Sequence, residues 1–173
     1  MSGIVNSLSN RRQFLNALGG VAAFSILPTG AWASSPNGKL QIAQIGAGGR
    51  GKGNFDSLFR LPNVDIVALC DVDSNSLAER STEVPKAETF RDYRKLFDKL
   101  GDRIDAVLVC TPDHMHAPIS SHAMEFGKHV YCEKPLAHSV VENRQLRLLA
   151  EEKGVVTQMG IQVSASIGQR MTV

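Results

Sequence analysis

The first 33 residues contain no Asp, Glu or Lys, and their charged side chains are those of Arg11 and Arg12. Setting these two arginines aside from the 19 basic residues leaves 17 basic residues against 17 acidic ones. The rest of the chain therefore lacks the basic excess on which nucleic-acid binding depends. We expect no nucleic-acid partner.

The sequence also has no apolar run long enough to span a bilayer. The apolar stretch Ala17–Leu27 ends at Pro28 and is far shorter than the roughly 20 residues that a membrane helix needs. It follows Arg11–Arg12 and precedes Ala31–Ala33, a small-residue pattern suited to cleavage. These regions predict a twin-arginine export signal over residues 1–33 and a periplasmic or otherwise exported mature chain with no stable membrane insertion. An amphipathic N-terminal helix or anchor is the alternative.

Cysteine is scarce. The chain has three cysteines, Cys70, Cys110 and Cys132, and an odd number argues against a full disulfide framework. Each ends an apolar run, so we expect small buried side chains near one edge of a sheet, with a single pairing left open. The pair His114 and His116 lacks partners at ligand spacing, so no metal is expected. The other histidines are interpreted as structural or surface groups: His122, His129 and His138.

From residue 39 onward, short β-branched runs alternate with segments of helical period. The predicted strands are Leu40–Gly46, Val64–Cys70, Ala106–Cys110, His129–Cys132 and Val155–Gly160, with a weaker run at Ala87–Phe90. Helical spacing between them stops at Gly101, Gly127 and Gly154, while Pro118 is predicted to open one helix and Ser139–Glu142 is a capping-box pattern. The alternation predicts an α/β fold, a doubly wound parallel sheet over residues 39–162 that follows a linker at 34–38.

A glycine-rich segment, GAGGRGKGN, follows the first predicted strand. The segment has the G-x-G-x-x-G pattern at Gly46, Gly48 and Gly51. The first glycine permits a tight turn, the second allows a pyrophosphate to approach the backbone, and the third allows the next helix to pack closely. Asp71 comes 20 residues after Gly51, at the end of the second strand, where a carboxylate hydrogen-bonds ribose hydroxyls. In this context the motif predicts dinucleotide binding rather than a purely structural turn.

The acidic residues after the second strand bear on the choice of cofactor. Asp71 and Asp73 carry negative charges that would repel the 2′-phosphate of NADP, so NAD is the expected cofactor. Arg50 in the glycine segment argues for NADP instead, because a guanidinium group binds phosphate well.

Polar side chains follow the two strong strands at Ala106–Cys110 and His129–Cys132. In a doubly wound sheet, ligands bind beyond the carboxyl ends of the strands, so Thr111, Pro112 and Lys134 are expected at one edge. An ammonium group beside an oxidised nicotinamide stabilises the alkoxide character that develops as hydride leaves a carbinol carbon. Lys134 is therefore the candidate catalytic residue, with a solvated surface lysine as the alternative.

Four motifs in this order and spacing, G-A-G-G-R-G, C-D-V-D, T-P-D-H-M-H and E-K-P, closely resemble the Gfo/Idh/MocA oxidoreductases. The resemblance implies that Lys134 contacts the reactive substrate hydroxyl, that Thr111, Pro112 and His116 line the nicotinamide pocket, and that Glu133 helps to shape it. It also implies a cis peptide bond between Lys134 and Pro135. The expected cofactor-binding set is Gly46, Gly48, Gly49, Arg50, Gly51, Asp71, Thr111, Pro112, His116, Glu133 and Lys134.

The resemblance covers residues 39–162, the Rossmann domain of that family. Its members continue into an α/β substrate domain that mediates oligomerisation, so residues 163–173 are interpreted as the start of a truncated second domain. No histidine follows His138, so the second-domain histidine of the family has no counterpart. The expected substrate is a sugar or polyol. A nucleotide-binding fragment without turnover and part of an NAD-dependent glycosidase are the alternatives.

Overall fold

Six parallel strands form one sheet in the computed structural model, which describes residues 38–161. The strands are β1 (Leu40–Ile45), β2 (Val64–Cys70), β3 (Glu88–Phe90), β4 (Ala106–Val109), β5 (His129–Glu133) and β6 (Thr157–Gly160). Their spatial order is β3-β2-β1-β4-β5-β6, so the chain reverses its direction of winding between β1 and β4. The predicted doubly wound sheet is confirmed, and the weak run before Phe90 is indeed a strand.

Five α-helices cover the sheet: α1 (Gly49–Leu58), α2 (Ser74–Glu83), α3 (Tyr93–Leu100), α4 (His116–Glu125) and α5 (Val140–Lys153). Helix α2 was not predicted individually, because it is polar and buries only Leu77 and Arg80. Its signal is Asp73, whose carboxylate accepts hydrogen bonds from the backbone nitrogens of Asn75 and Ser76.

Most helix boundaries in the structure agree with those predicted from the sequence. Gly127 and Gly154 have positive φ angles of 70° and 64°, as expected where a helix ends in a left-handed residue. The capping box at Ser139 is present. The predicted start of α4 was late, because a 3₁₀ turn at Asp113–Met115 leads directly into the helix at His116. Pro118 lies in the first turn instead of opening it, and there its missing N–H removes no helical hydrogen bond.

The core consists of two layers, one on each face of the sheet. On β4, Val107 and Val109 pack with α3, α4 and α5, whereas Leu108 faces Leu58 of α1. This alternation within an apolar strand shows that β4 is buried on both faces. The layering sets α1 and α4 on opposite faces, with their N-termini near the same sheet edge.

The three cysteines are free thiols, so the pairing left open by the sequence is not formed. Cys70 and Cys132 belong to the core layer under α3–α5, while Cys110 packs in the layer under α1. Burial raises the pKa of Cys70 and Cys110 to about 12 and that of Cys132 to about 11. The thiols are therefore protonated near neutral pH and unreactive as nucleophiles.

These raised pKa values predict a loss of stability at alkaline pH. Above about pH 9 the unfolded chain releases thiol protons that the folded chain retains, so the free energy of unfolding falls by up to about 1.4 kcal/mol per pH unit and thiol. Urea unfolding at about pH 8 and pH 10.5 measures this fall. The fall should be smaller in Cys132→Ala, and an equal fall in both proteins would contradict the assignment.

The histidines outside the T-P-D-H-M-H segment divide into structural and surface groups. His122 packs against the rings of Tyr93, Phe97 and Phe126. His129 accepts a hydrogen bond from the backbone nitrogen of Val156 through Nδ1, and burial lowers its pKa. Both therefore serve packing between elements, as expected.

Across residues 38–161, no helix has the length and apolar content needed to cross a bilayer. The predicted export signal at residues 1–33 lies outside the described residues, as do residues 163–173.

Candidate active site

The glycine turn between β1 and α1 has no room for a side chain at Gly46 or at Gly51. Gly46 has φ +95°, and a Cβ at this position would lie 2.5 Å from the carbonyl oxygen of Cys110. A Cβ on Gly51 would overlap the carbonyl oxygen of Gly46. The tight turn and the close packing of α1 that the motif predicts are therefore both present, and α1 begins at Gly49, at the carboxyl edge of the sheet.

Gly48 and Gly49 occupy different environments within the turn. A Cβ on Gly48 would lie 2.8 Å from the hydroxyl of Ser76, whereas a Cβ on Gly49 would meet nothing within 4 Å. Gly49 instead needs glycine for its φ of +49°.

Asp71 holds the glycine turn against the end of β2. Its Oδ2 accepts hydrogen bonds from the backbone nitrogens of Ala47 at 2.6 Å and Gly48 at 3.3 Å. Its Oδ1 accepts from the backbone nitrogen of Asp73 at 2.9 Å. The carboxylate therefore lies beside the turn, as the G-x-G-x-x-G spacing predicts, and it retains lone pairs for a ribose hydroxyl.

Asp73 is engaged mainly by the start of α2. A hydrogen bond from the hydroxyl of Ser76 at 2.7 Å, with further bonds from backbone nitrogens, lowers the pKa of this carboxyl. Arg91 and Arg94, which were not among the predicted site residues, line the same cleft as Asp71. Arg91 donates to the backbone carbonyl of Val72 at 2.9 Å, and its positive charge contributes to the lowered pKa of Asp73.

A cleft of about 620 Å³ runs along the carboxyl ends of β2, β1 and β4. Five residues of the predicted cofactor-binding set line this cleft: Gly46, Gly48, Asp71, Thr111 and Pro112. It crosses the point where the winding reverses, which is where doubly wound folds bind their ligands. The predicted adenosine and nicotinamide ends thus belong to one continuous cleft.

Thr111 and His116 lie at the β4 end of this cleft, but only Thr111 lines it. The hydroxyl of Thr111 is buried and has no hydrogen-bond partner within residues 38–161. His116 is 1% exposed and lies behind the lining, where Nε2 is 2.7 Å from the carbonyl oxygen of Thr111 and Nδ1 is 2.6 Å from that of Pro135. The predicted contact of His116 with the ring stays a prediction.

Glu133 faces α1 rather than the cleft. It is 3% exposed, and its Oε1 accepts hydrogen bonds from Nδ2 of Asn54 at 2.7 Å and Nε of Arg50 at 3.3 Å. Lys134 follows with an exposed side chain, and its peptide bond to Pro135 is cis, as expected. Arg50 therefore pairs with Glu133, which leaves its terminal nitrogens for other partners.

In the part of the chain that the structure describes, no group of three or more His, Cys, Asp or Glu side chains is arranged to hold a metal ion. Both ring nitrogens of His116 already face carbonyl oxygens. The H-x-H pair thus offers no preformed zinc site.

A parallel sheet of this order, with a glycine turn after β1 and a carboxylate after β2, defines the class of dinucleotide-binding Rossmann domains. Residues 40–161 match the Gfo/Idh/MocA family, described as an oxidoreductase family with an NAD-binding Rossmann fold. The chain belongs to this family, and the described residues are its NAD-binding domain.

Individual relatives agree with this assignment. A glycosyl hydrolase family 109 protein of Stenotrophomonas maltophilia is 38% identical over 135 residues, covering 71% of this chain and 29% of that protein. Inositol 2-dehydrogenase of Rubrobacter xylanophilus is 36% identical over 113 residues, covering 62% and 30% respectively. The crystal structure of myo-inositol 2-dehydrogenase from Lactobacillus plantarum superposes with a TM-score of 0.71 at 27% identity, over 78% of this chain and 40% of that one. The chain thus spans about 30% of the length of these curated relatives.

Three residues were not predicted from the sequence: Arg91 and Arg94, which line the cleft, and Asn54, which bonds to Glu133 outside the lining. Asn54 lies within the glycine-rich segment, three residues after Gly51, where a side chain on the first turns of α1 reaches the sheet edge. The arginines follow β3, which was the weakest predicted strand. Their signal is a pair of basic residues directly after a strand that ends at the ligand-binding edge.

Proposed function

We propose that this chain binds NAD and forms the cofactor-binding part of an enzyme that transfers hydride between NAD and a hydroxyl-bearing carbon of a sugar or cyclitol. The observation that carries the proposal is the single cleft that joins Asp71 to Thr111 and Pro112, at the sheet edge where Lys134 is exposed. The inositol dehydrogenase relatives support the substrate class.

The residues present fit a dinucleotide. Gly46, Gly48 and Gly51 keep the turn close to the sheet because they have no Cβ atoms, and α1 begins there with a first turn of the kind that binds phosphate groups. Asp71 would accept a hydrogen bond from a ribose hydroxyl, while Thr111 and Pro112 line the part of the cleft where the nicotinamide half would lie. When bound, NAD supplies the ring carbon that accepts or returns the hydride.

Lys134 would stabilise charge on the substrate. As the C–H bond of the carbinol carbon breaks, negative charge develops on the hydroxyl oxygen, and an ammonium group within hydrogen-bond distance stabilises it. The neutral amine can take up the hydroxyl proton and so become this ammonium group, which completes oxidation to a carbonyl, and in the reverse direction the ammonium group returns the proton. Its exposed position allows direct contact with a substrate that approaches the cleft.

The cofactor preference follows from the balance of charge at the β2 end. Asp71 and Asp73 favour NAD, while Arg91 and Arg94 are the cations closest to them in the cleft lining. Because Arg91 is already bonded to the carbonyl of Val72, we infer that the carboxylates dominate and that NAD binds more tightly than NADP.

Asp71→Ala is expected to raise the Kd for NAD at least about tenfold, because it removes a charged hydrogen-bond acceptor for the ribose. Titration calorimetry on the 173-residue chain measures this. Asp65→Ala is the matched control, since Asp65 lies on the same strand and pairs with Lys39 away from the cleft. An unchanged Kd in Asp71→Ala, or tighter binding of NADP than of NAD by the unmodified chain, would contradict the proposal.

NAD-dependent cleavage of glycosides by transient oxidation is a second candidate, favoured by the 38% identity to the family 109 protein. Incubation with NAD and either inositols or aryl glycosides distinguishes the two. Accumulation of NADH with an inositol indicates a dehydrogenase, whereas release of the aglycone without net NADH indicates a glycosidase. NAD binding without either reaction indicates a nucleotide-binding fragment.

The proposal extends to location and assembly. The twin arginines and the small-residue pattern at Ala31–Ala33 support export of the folded, cofactor-loaded chain to the periplasm. The resemblance to the family supports a homo-oligomer for the full-length relatives.

A further inference from the structure

Asn54 bridges the ends of β4 and β5 from one face of the sheet. Its Nδ2 lies 2.7 Å from Oε1 of Glu133 and 3.2 Å from Sγ of Cys110. A side-chain amide nitrogen carries two hydrogens, so it can donate to both acceptors at once. A single side chain of α1 thus ties together the residues that precede Thr111 and Lys134.

His116 makes a second bridge from the opposite face. Its two ring nitrogens face the carbonyl oxygens of Thr111 and Pro135, at 2.7 and 2.6 Å. A neutral imidazole donates to one carbonyl at a time, and an imidazolium donates to both. Because the ring is buried, water does not compete for these contacts.

Together, the two bridges fix the backbone on both sides of Lys134. The residue before it, Glu133, is held through its side chain by Asn54 and Arg50, and the residue after it, Pro135, is held through its carbonyl oxygen. A buried carboxylate is costly unless it is hydrogen-bonded, so these contacts strongly favour one orientation of Glu133. Lys134 has an exposed side chain on an anchored backbone.

We propose that Asn54 and His116 are positioning residues that lock the loop carrying Thr111 to the loop carrying Lys134, so that the cofactor pocket and the catalytic amine keep a fixed relation. This inference rests on the proposed function, which makes Lys134 the catalytic group. Neither residue needs to touch substrate or cofactor. Asn54 also connects both loops to α1, the helix that begins at the glycine turn.

Amide hydrogen exchange on the 173-residue chain tests the bridges without an activity assay. Asn54→Ala should speed exchange at least about tenfold in both loops, residues 110–113 and 133–137, because a buried acceptor loses its donor. Exchange in α5 should not change. Asn63→Ala is the matched control, since Asn63 precedes β2 and its carbonyl accepts from the backbone nitrogen of Leu40, at the edge of the sheet opposite to both loops.

Further variants keep the test decisive if Asn54→Ala folds poorly. Glu133→Gln retains an oxygen that accepts from Asn54 and should keep exchange within about threefold of the unmodified chain, whereas Glu133→Leu should behave like Asn54→Ala. His116→Phe preserves the buried volume but removes both ring nitrogens, and it should likewise loosen both loops.

A chemical readout separates positioning from general stability. Acetic anhydride labels exposed lysines, and saturating NAD should slow labelling of Lys134 at least about fivefold relative to Lys153 if the amine stands over the cofactor. In Asn54→Ala this protection should fall below about twofold, while the Kd for NAD stays within about threefold.

The outcomes distinguish the two proposals. If the unmodified chain binds no NAD but Asn54→Ala still loosens both loops, the proposed function fails and the bridges stand. If NAD binds and both loops exchange as slowly in Asn54→Ala and His116→Phe as in the unmodified chain, the positioning role is overturned. Faster exchange throughout the protein would also overturn it, because it would show a global rather than a local effect.

Discussion

Gly46→Val is expected to abolish NAD binding and to lower the free energy of unfolding by at least about 3 kcal/mol. A β-branched residue strongly disfavours a φ of +95°, and its Cβ would lie 2.5 Å from the carbonyl oxygen of Cys110. Relief of this clash requires β1 and β4 to separate at the point where the cleft crosses the sheet. Urea unfolding and NAD titration of the same preparation measure both effects.

Gly53→Ala is the control for this substitution. Gly53 lies inside α1, and a Cβ there would make only an ordinary contact of 3.7 Å with Arg50. Alanine should stabilise the helix by about 0.5–1 kcal/mol and leave the Kd for NAD unchanged. If Gly46→Val bound NAD as well as Gly53→Ala does, the glycine turn would not be the pyrophosphate site.

Lys134→Met is expected to reduce hydride transfer at least about 10²-fold while changing the Kd for NAD less than about threefold. Methionine keeps much of the side-chain length but supplies neither the positive charge nor the proton that the substrate oxygen requires. The loss should therefore appear in kcat, because the amine acts mainly on charge that develops in the transition state. Measurement requires a substrate that the unmodified protein oxidises or cleaves in the presence of NAD.

Lys153→Met is the matched control, since Lys153 ends α5 and forms an ion pair with the exposed Glu152. Its turnover and NAD affinity should equal those of the unmodified protein. Retained turnover in Lys134→Met would remove this lysine from the catalytic role and return it to the alternative of a solvated surface residue.

Much of the fold was predictable because its signals are local. Apolar runs bounded by glycines give the strands, and the capping box at Ser139 gives the start of α5. The short strand β3 was weak in sequence because it has only three residues and lies at the sheet edge. Helix α2 escaped individual prediction because it buries little apolar surface, so its sequence has no strong period.

The candidate site was predictable to a lesser extent. The glycine register and the spacing to Asp71 locate the turn and the carboxylate, since both follow from chain geometry around the first two strands. The lining of the cleft by Thr111 and Pro112 follows from their position after a buried strand. The cis bond before Pro135 came from the family resemblance and not from the spacing of residues.

By itself, the sequence determined the order of the strands and their alternation with helices, the glycine turn, the carboxylate beside it and a lysine directly after β5. Only the tertiary structure decided that Glu133 turns towards Asn54 and Arg50 and that His116 bonds to carbonyls behind the cleft. The reason is physical. Backbone periodicity fixes which residues reach a sheet edge, but the direction of a buried polar side chain depends on donors and acceptors brought there by distant segments of the chain.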